Sequence, residues 1–264
     1  MRTLTDVAYS RDHTDRRLID IYLPDGAANG AAVLLIHGGG FRNGRKDQWN
    51  GVPAWFCERG YVVASAEYRL APQWRFPAWI EDVRLAMAML RARADEFGFA
   101  PHRIVTAGSS AGAYLALILA MIGPDDDLGR TDELAAPDTR PNAVIAYCPA
   151  TSLYATRRRF PKAAYPDLMP AAEADAPDLY RSACLAARVT GGEPPILFVH
   201  GTADTTIPHD ASVELAERLN AAGAHAEVEL LDGVGHAFGY GAETDVQKRA
   251  LARAEAFLAK HVLR

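Results

Sequence analysis

Gly108-Ser109-Ser110-Ala111-Gly112 is the stretch that decides how this chain folds. It follows the apolar run Ile104-Val105-Thr106-Ala107 and leads into a second one, Tyr114 to Ile122. A serine flanked by glycines between a strand and a helix is the pattern of a nucleophile elbow. So tight a turn holds the serine in a strained backbone conformation, and a side chain two positions to either side would strike the neighbouring strand or helix. Gly108 and Gly112 remove those side chains, and Ala111 keeps the corner small. Ser110 is therefore the candidate nucleophile. A free hydroxyl is nearly inert at neutral pH, so it needs a base within hydrogen-bond reach and an acid to orient that base.

Three other segments fall in a compatible order. Val33-Leu34-Leu35-Ile36 reads as a buried strand that runs into His37-Gly38-Gly39-Gly40-Phe41. Consecutive glycines there let backbone N–H groups point into a cleft unobstructed. The N–H groups of Gly39 and Gly40, with that of Ala111 after the nucleophile, are the expected holders of a developing oxyanion. A phosphate-binding loop would instead carry the lysine and hydroxyl residue of a Walker motif, which are missing here. Further on, Ile196 to His200 is a second buried strand, and its turn Gly201-Thr202-Ala203 delivers Asp204. Last comes the glycine-rich loop Asp232-Gly233-Val234-Gly235-His236-Ala237-Phe238-Gly239, after the strand Ala226 to Leu231.

Eight histidines compete for the base. His13, His102, His225 and His261 lie away from the loops expected at the active edge, and His37 is placed to pin the glycine loop. His200 ends a strand and is expected to pack in the core rim. His209 is the rival, since it follows the loop bearing Asp204. His236 is preferred because glycines 233, 235 and 239 let its loop fold across to Ser110. For the acid, Asp204 is preferred, with Asp232 and Asp210 as alternatives. Nucleophile, acid, then base is the chain order of an α/β-hydrolase triad.

With these motifs in place, the chain resembles the α/β-hydrolase superfamily, and within it the HGGG-type carboxylesterases of the hormone-sensitive-lipase-like and feruloyl-esterase-like branches. Glu67-Tyr68-Arg69-Leu70-Ala71-Pro72, Phe76-Pro77 and Glu81-Asp82 are similar to a structural signature of that family. The residue before the nucleophile, usually acidic there, is Ser109 here. The resemblance implies a serine esterase for small, short-acyl esters that works through an acyl-enzyme and needs no metal or organic cofactor. Feruloyl or acetyl-xylan esterase and arylformamidase are the neighbouring activities. A non-catalytic small-molecule receptor on the same fold is the rival from another class, because fold alone does not establish catalysis.

Composition fits one α/β-hydrolase domain over residues 1–264, with 49% hydrophobic and 23% charged residues. A net charge of −5 gives no electrostatic footprint for nucleic acid. The N-terminal residues lack the apolar core of a secretory signal, and the longest apolar stretch is too short to cross a bilayer. The three scattered cysteines, Cys57, Cys148 and Cys184, suit reduced thiols in the cytoplasm. Oligomeric state is not legible.

Alternating strand and helix patterns predict a mostly parallel, eight-stranded sheet with helices on both faces. Helices are expected near Asp47–Arg59, Pro77–Phe97, Ala111–Ile122, Ala211–Ala222 and Glu243–Leu263. Residues 151–193 interrupt the alternation and carry Tyr154, Phe160, Tyr165, Met169 and Tyr180, which suggests a small cap insertion. Arg157-Arg158-Arg159 within it reads as a solvated face. Phe41, Trp74 and Phe238 are expected near the mouth of the pocket.

Overall fold

Strands that are apolar on both faces must be covered on both faces, and this requirement organises the molecule. The computed structural model describes residues 1–12, 14, 16–134, 138–153 and 167–263. The strands are β1 (Arg2–Ala8), β2 (Leu18–Leu23), β3 (Ala32–Ile36), β4 (Val62–Ala66), β5 (Ile104–Ser109), β6 (Ala143–Tyr147), β7 (Ile196–Gly201) and β8 (Ala226–Leu231). They form one eight-stranded sheet in the order β1-β2-β4-β3-β5-β6-β7-β8. β1 pairs with β2 and β2 with β4 antiparallel, and every later pairing is parallel.

The helices are α1 (Val52–Glu58), α2 (Ala78–Ala92), α3 (Ala94–Phe97), α4 (Ala111–Met121), α5 (Pro177–Ser182), α6 (Leu185–Arg188), α7 (Asp210–Ala222) and α8 (Asp245–His261). Successive residues of β3 serve opposite faces, as the two-residue period of a strand demands. Ala32, Leu34 and Ile36 join the apolar cluster shared with α2, α4 and α7. Val33 and Leu35 join the other, shared with α1 and α8. Every residue of α4 is buried, which explains a helix with no polar face.

Two expected helices are shorter than the sequence pattern suggests. The first does not begin at Asp47: residues 46–48 form a 3-10 turn, and α1 starts only after Gly51, whose φ of 75° is left-handed. The second breaks at Arg93, which leaves helical geometry between α2 and α3. The family-like signature from Glu67 to Asp82 becomes a buried ion network. Asp82, fully buried, accepts from Arg17 Nε at 2.9 Å and from the Arg69 backbone N–H at 2.8 Å, and it also meets the Arg69 guanidinium. Breaking such a network would leave an uncompensated buried charge.

Within 151–193, Tyr154, Phe160, Tyr165 and the arginine run lie outside the described residues. The described part is tied to the main body. Ser152 and Cys184 form an antiparallel bridge, the Phe76 N–H donates to the Leu168 carbonyl at 2.9 Å, and Tyr114 Oη donates to the Ala183 carbonyl at 2.9 Å. Among the described residues no helix is long and apolar enough to cross a membrane.

Candidate active site

The parallel register brings the ends of β3, β5, β6 and β7 to one edge, where ligand sites of such sheets form. Ser110 stands between β5 and α4 at φ 56° and ψ −117°, a conformation costly for any residue with a side chain. Its N–H donates to the Tyr147 carbonyl at 2.8 Å, which ties the corner to β6. The flanking glycines are sterically obligatory. A Cβ on Gly108 would overlap the Gly112 backbone, and one on Gly112 would overlap the Ile36 carbonyl.

His236 reaches this corner from the loop after β8. Its Nε2 lies 3.0 Å from Ser110 Oγ and its Nδ1 lies 2.6 Å from Asp204 Oδ2. These partners assign the tautomer: Nδ1–H donates to the carboxylate, leaving Nε2 to accept from the serine hydroxyl. The loops that carry Asp204 and His236 are laced together. Thr202 N–H donates to the Leu231 carbonyl at 2.9 Å, and Ala203 N–H to the Val234 carbonyl at 3.0 Å.

Asp204 is held from all sides. Its Oδ1 accepts the N–H groups of Thr206 at 2.8 Å and Ile207 at 2.9 Å. Burial pushes its carboxyl up, but hydrogen bonds from His200, His236 and the Ile207 N–H outweigh that and hold it far below the usual carboxylate range. The side chain is fully buried and remains ionised.

The oxyanion candidates lie in the loop after β3 and at the first residue of α4. Gly39 and Gly40 have φ of 111° and 61°, open to glycine at little cost. Among the described residues, the N–H groups of Gly39, Gly40 and Ala111 meet no protein acceptor. His37 pins the loop as its position suggests. Its Nδ1 lies 2.8 Å from the Gly38 carbonyl, its ring stacks on Tyr68 at 4.1 Å, and Tyr68 Oη donates to the His37 carbonyl at 2.8 Å.

Other expectations need correction or fall away. His200 is not a rim residue. It is fully buried, with Nδ1 2.7 Å from Ser212 Oγ and Nε2 2.9 Å from the Ile207 carbonyl and 3.2 Å from Asp204 Oδ2. Its place just before Gly201 in the turn that presents Asp204 was the signal available in the sequence. His209 lies against Asp210 instead, at 3.4 Å, and Asp232 accepts from Thr202 Oγ1 at 3.1 Å. Phe41 is turned inward, stacked on Trp79 at 4.3 Å and buried, so it does not stand at the mouth. Trp74 remains 37% exposed, enough to meet solvent at the surface. Tyr240, unremarked in the sequence, accepts the Gly38 N–H at 2.6 Å.

Among the described residues, two groups of side chains have metal-ligating types. In Cys148, His200 and Asp204, both imidazole nitrogens already have partners, and the carboxylate serves His236. The Cys148 thiol is pushed up to about 12, by burial first and then by the Asp204 charge, so it stays protonated and is a poor ligand. In His225, Glu227 and His261, the carboxylate is paired with Arg253 and with Lys260 at 3.1 Å. Those two cations occupy the oxygens a metal ion would need.

A family model described as BD-FAE matches residues 19–219, and one described as Dienelactone hydrolase family matches residues 185–261. The chain is 31% identical over 248 residues to Esterase LipC of Mycobacterium tuberculosis, covering 88% of this chain and 61% of that relative. It is 30% identical over 240 residues to ethyl acetate hydrolase of Pseudomonas putida, covering 83% and 70%. The chain thus spans less than two thirds of LipC's length. Among solved structures it is similar to the propionate-bound esterase Est2 of Thermogutta terrifontis, with a TM-score of 0.79 and 25% identity, covering 97% of this chain and 93% of that one.

Proposed function

The chain belongs to the BD-FAE family of α/β-hydrolases, and from that premise we propose that it is a serine carboxylesterase for small, short-acyl esters. Ser110 is the nucleophile, His236 the general base and Asp204 the acid that orients it. One observation carries this reading. An unbroken relay runs from Ser110 Oγ to His236 Nε2 at 3.0 Å and from Nδ1 to Asp204 Oδ2 at 2.6 Å, and among the described residues the N–H groups of Gly39, Gly40 and Ala111 have no protein acceptor.

In this mechanism Ser110 Oγ attacks the ester carbonyl carbon as its proton passes to His236 Nε2. The carbonyl oxygen becomes an oxyanion held by the backbone N–H groups. Collapse breaks the bond to the alcohol oxygen, and the imidazolium gives that oxygen its proton. Water then attacks the acyl carbon as His236 takes its proton, the bond from the acyl carbon to Ser110 Oγ breaks, and the imidazolium returns the proton to Oγ as the carboxylic acid leaves. Asp204 stabilises the imidazolium and does not itself become protonated.

A short acyl group is supported by two resemblances. One relative is named for ethyl acetate, and one solved structure holds propionate. We assign residues 151–193 to a cap over the pocket of a single domain. Each added methylene gains about 0.8 kcal/mol only while the pocket has room for it. The proposed setting is the cytoplasm, where the thiols of Cys57, Cys148 and Cys184, none of them in a disulfide, stay reduced. The test is a p-nitrophenyl ester series with stoichiometric organophosphate labelling. Rates are expected to peak between acetate and hexanoate and collapse by laurate, with the label on Ser110. Palmitate turnover equal to butyrate would remove the short-acyl reading, and labelling elsewhere would remove the nucleophile.

A further inference from the structure

Tyr240 sits where three loops of the site meet. It belongs to the 3-10 turn Phe238–Tyr240, just past His236 in the base loop. Its phenol oxygen accepts the Gly38 N–H of the glycine loop at 2.6 Å, across 202 residues of sequence. Gly38 is pinched in this junction. A Cβ there would stand 2.5 Å from Tyr240 Oη, 2.5 Å from the Ser109 carbonyl and 3.1 Å from Ser110 Cβ. The ring packs on Trp49, with centroids 4.8 Å apart, which fixes where the hydroxyl points.

Building on the serine-esterase reading, we propose that Tyr240 is a positioning residue for the oxyanion loop. By taking the Gly38 N–H, its phenol oxygen removes that donor from the three consecutive glycines. The N–H groups of Gly39 and Gly40 are left for the oxyanion, together with Ala111. Because Tyr240 and His236 share one short loop, the same contact sets the distance between the proton acceptor and the oxyanion donors. Both must be correct in the same transition state, and a preorganised donor costs no reorganisation when charge develops. Burial pushes the phenol up from its ordinary range, so it remains a neutral hydroxyl through the working pH range.

Tyr240→Phe tests this, because it keeps the ring on Trp49 and deletes only the oxygen. Loss of a direct oxyanion donor lowers kcat by about 10²- to 10³-fold, and misplacing the donors by releasing their loop should lower it by roughly 10- to 100-fold. KM for p-nitrophenyl acetate should change less than about threefold, since the ground-state ester makes little use of the hole. A boronic-acid transition-state mimic should weaken in step with kcat, while the thermal midpoint moves little. Amide hydrogen exchange at Gly38 should speed at least tenfold. A kcat within twofold of wild type, or a loss confined to KM, would overturn the proposal. If the wild type turned over esters no faster than Ser110→Ala, the esterase reading itself would fall. Exchange at Gly38 would then still decide the matter: unchanged protection in Tyr240→Phe would show that Tyr240 does not hold this loop.

Discussion

His200 Nε2 lies 3.2 Å from Asp204 Oδ2, the same oxygen that takes the His236 Nδ1 hydrogen at 2.6 Å. One carboxylate oxygen thus stands between two imidazoles of different character. His200 is sealed in the core with its other nitrogen on Ser212, whereas His236 is 18% exposed and faces the serine. The fully buried ring helps hold the carboxylate, and the half-buried ring links it to the serine. The backbone N–H groups of Thr206 and Ile207 hold the second oxygen, so the carboxylate cannot rotate without losing several hydrogen bonds.

Asp204→Asn should lower kcat by roughly 10²- to 10⁴-fold while the protein stays folded. The amide cannot accept from Nδ1–H as a carboxylate does, so the imidazole loses its tautomer and its imidazolium loses a counter-charge. Steady-state kinetics beside circular dichroism checks this. Turnover within tenfold of wild type would show that another acid orients His236.

Ser110→Ala should abolish turnover, by about 10⁴-fold or more in kcat, with little change in thermal midpoint. His236→Ala should be comparably damaging, whereas His209→Ala should be nearly silent because His209 lies against Asp210 rather than the relay. Equal losses in the two histidine variants would reopen the choice of base.

Gly112→Ala should destabilise the fold rather than merely slow the chemistry. The added Cβ would overlap the Ile36 carbonyl in the crossing of α4 over β3. Backbone cannot yield as a flexible side chain does, so a loss at or above the usual overpacking range of about 1–3 kcal/mol is expected. Urea denaturation measures it, and wild-type stability would contradict the elbow geometry.

Glu227 supplies a pH test away from the site. Slight burial pushes its carboxyl up, but His225, Lys260 and Arg253 outweigh that and hold it down at about 2. A carboxyl lowered in the folded state contributes stability above its ordinary pKa of about 4.3, and that contribution is lost as pH falls toward the folded value. Glu227→Gln should therefore be less stable than wild type at neutral pH, with the gap closing between about pH 4.5 and 2. Because the group is partly exposed, the gap should also shrink in high salt. Denaturation at two pH values and two ionic strengths checks both trends.

Much of the fold and of the site is legible in the sequence. The serine of Gly108-Ser109-Ser110-Ala111-Gly112, the glycines after Ile36 and the strands that precede Asp204 and His236 all announce themselves locally, through glycine where a Cβ cannot fit and apolar runs where faces are covered. The strand pattern matches the eight-stranded sheet because buried parallel strands are continuous and apolar. Helix ends are less legible, since Gly51 and Arg93 break helices through backbone geometry that no hydrophobic period records.

By itself the sequence determined which segments are strands, which corners must be glycine and which residue types could form a relay, because these follow from sterics and periodicity within short windows. Only the tertiary structure decided which histidine stands 3.0 Å from Ser110, that His200 shares the carboxylate, and that the Tyr240 hydroxyl takes the Gly38 N–H. Those contacts join residues 126, 4 and 202 positions apart. The two long ones arise from how the parallel sheet folds its loops onto one edge. The short one depends on the side-chain directions set by a single turn. Neither is encoded in the local spacing of the chain.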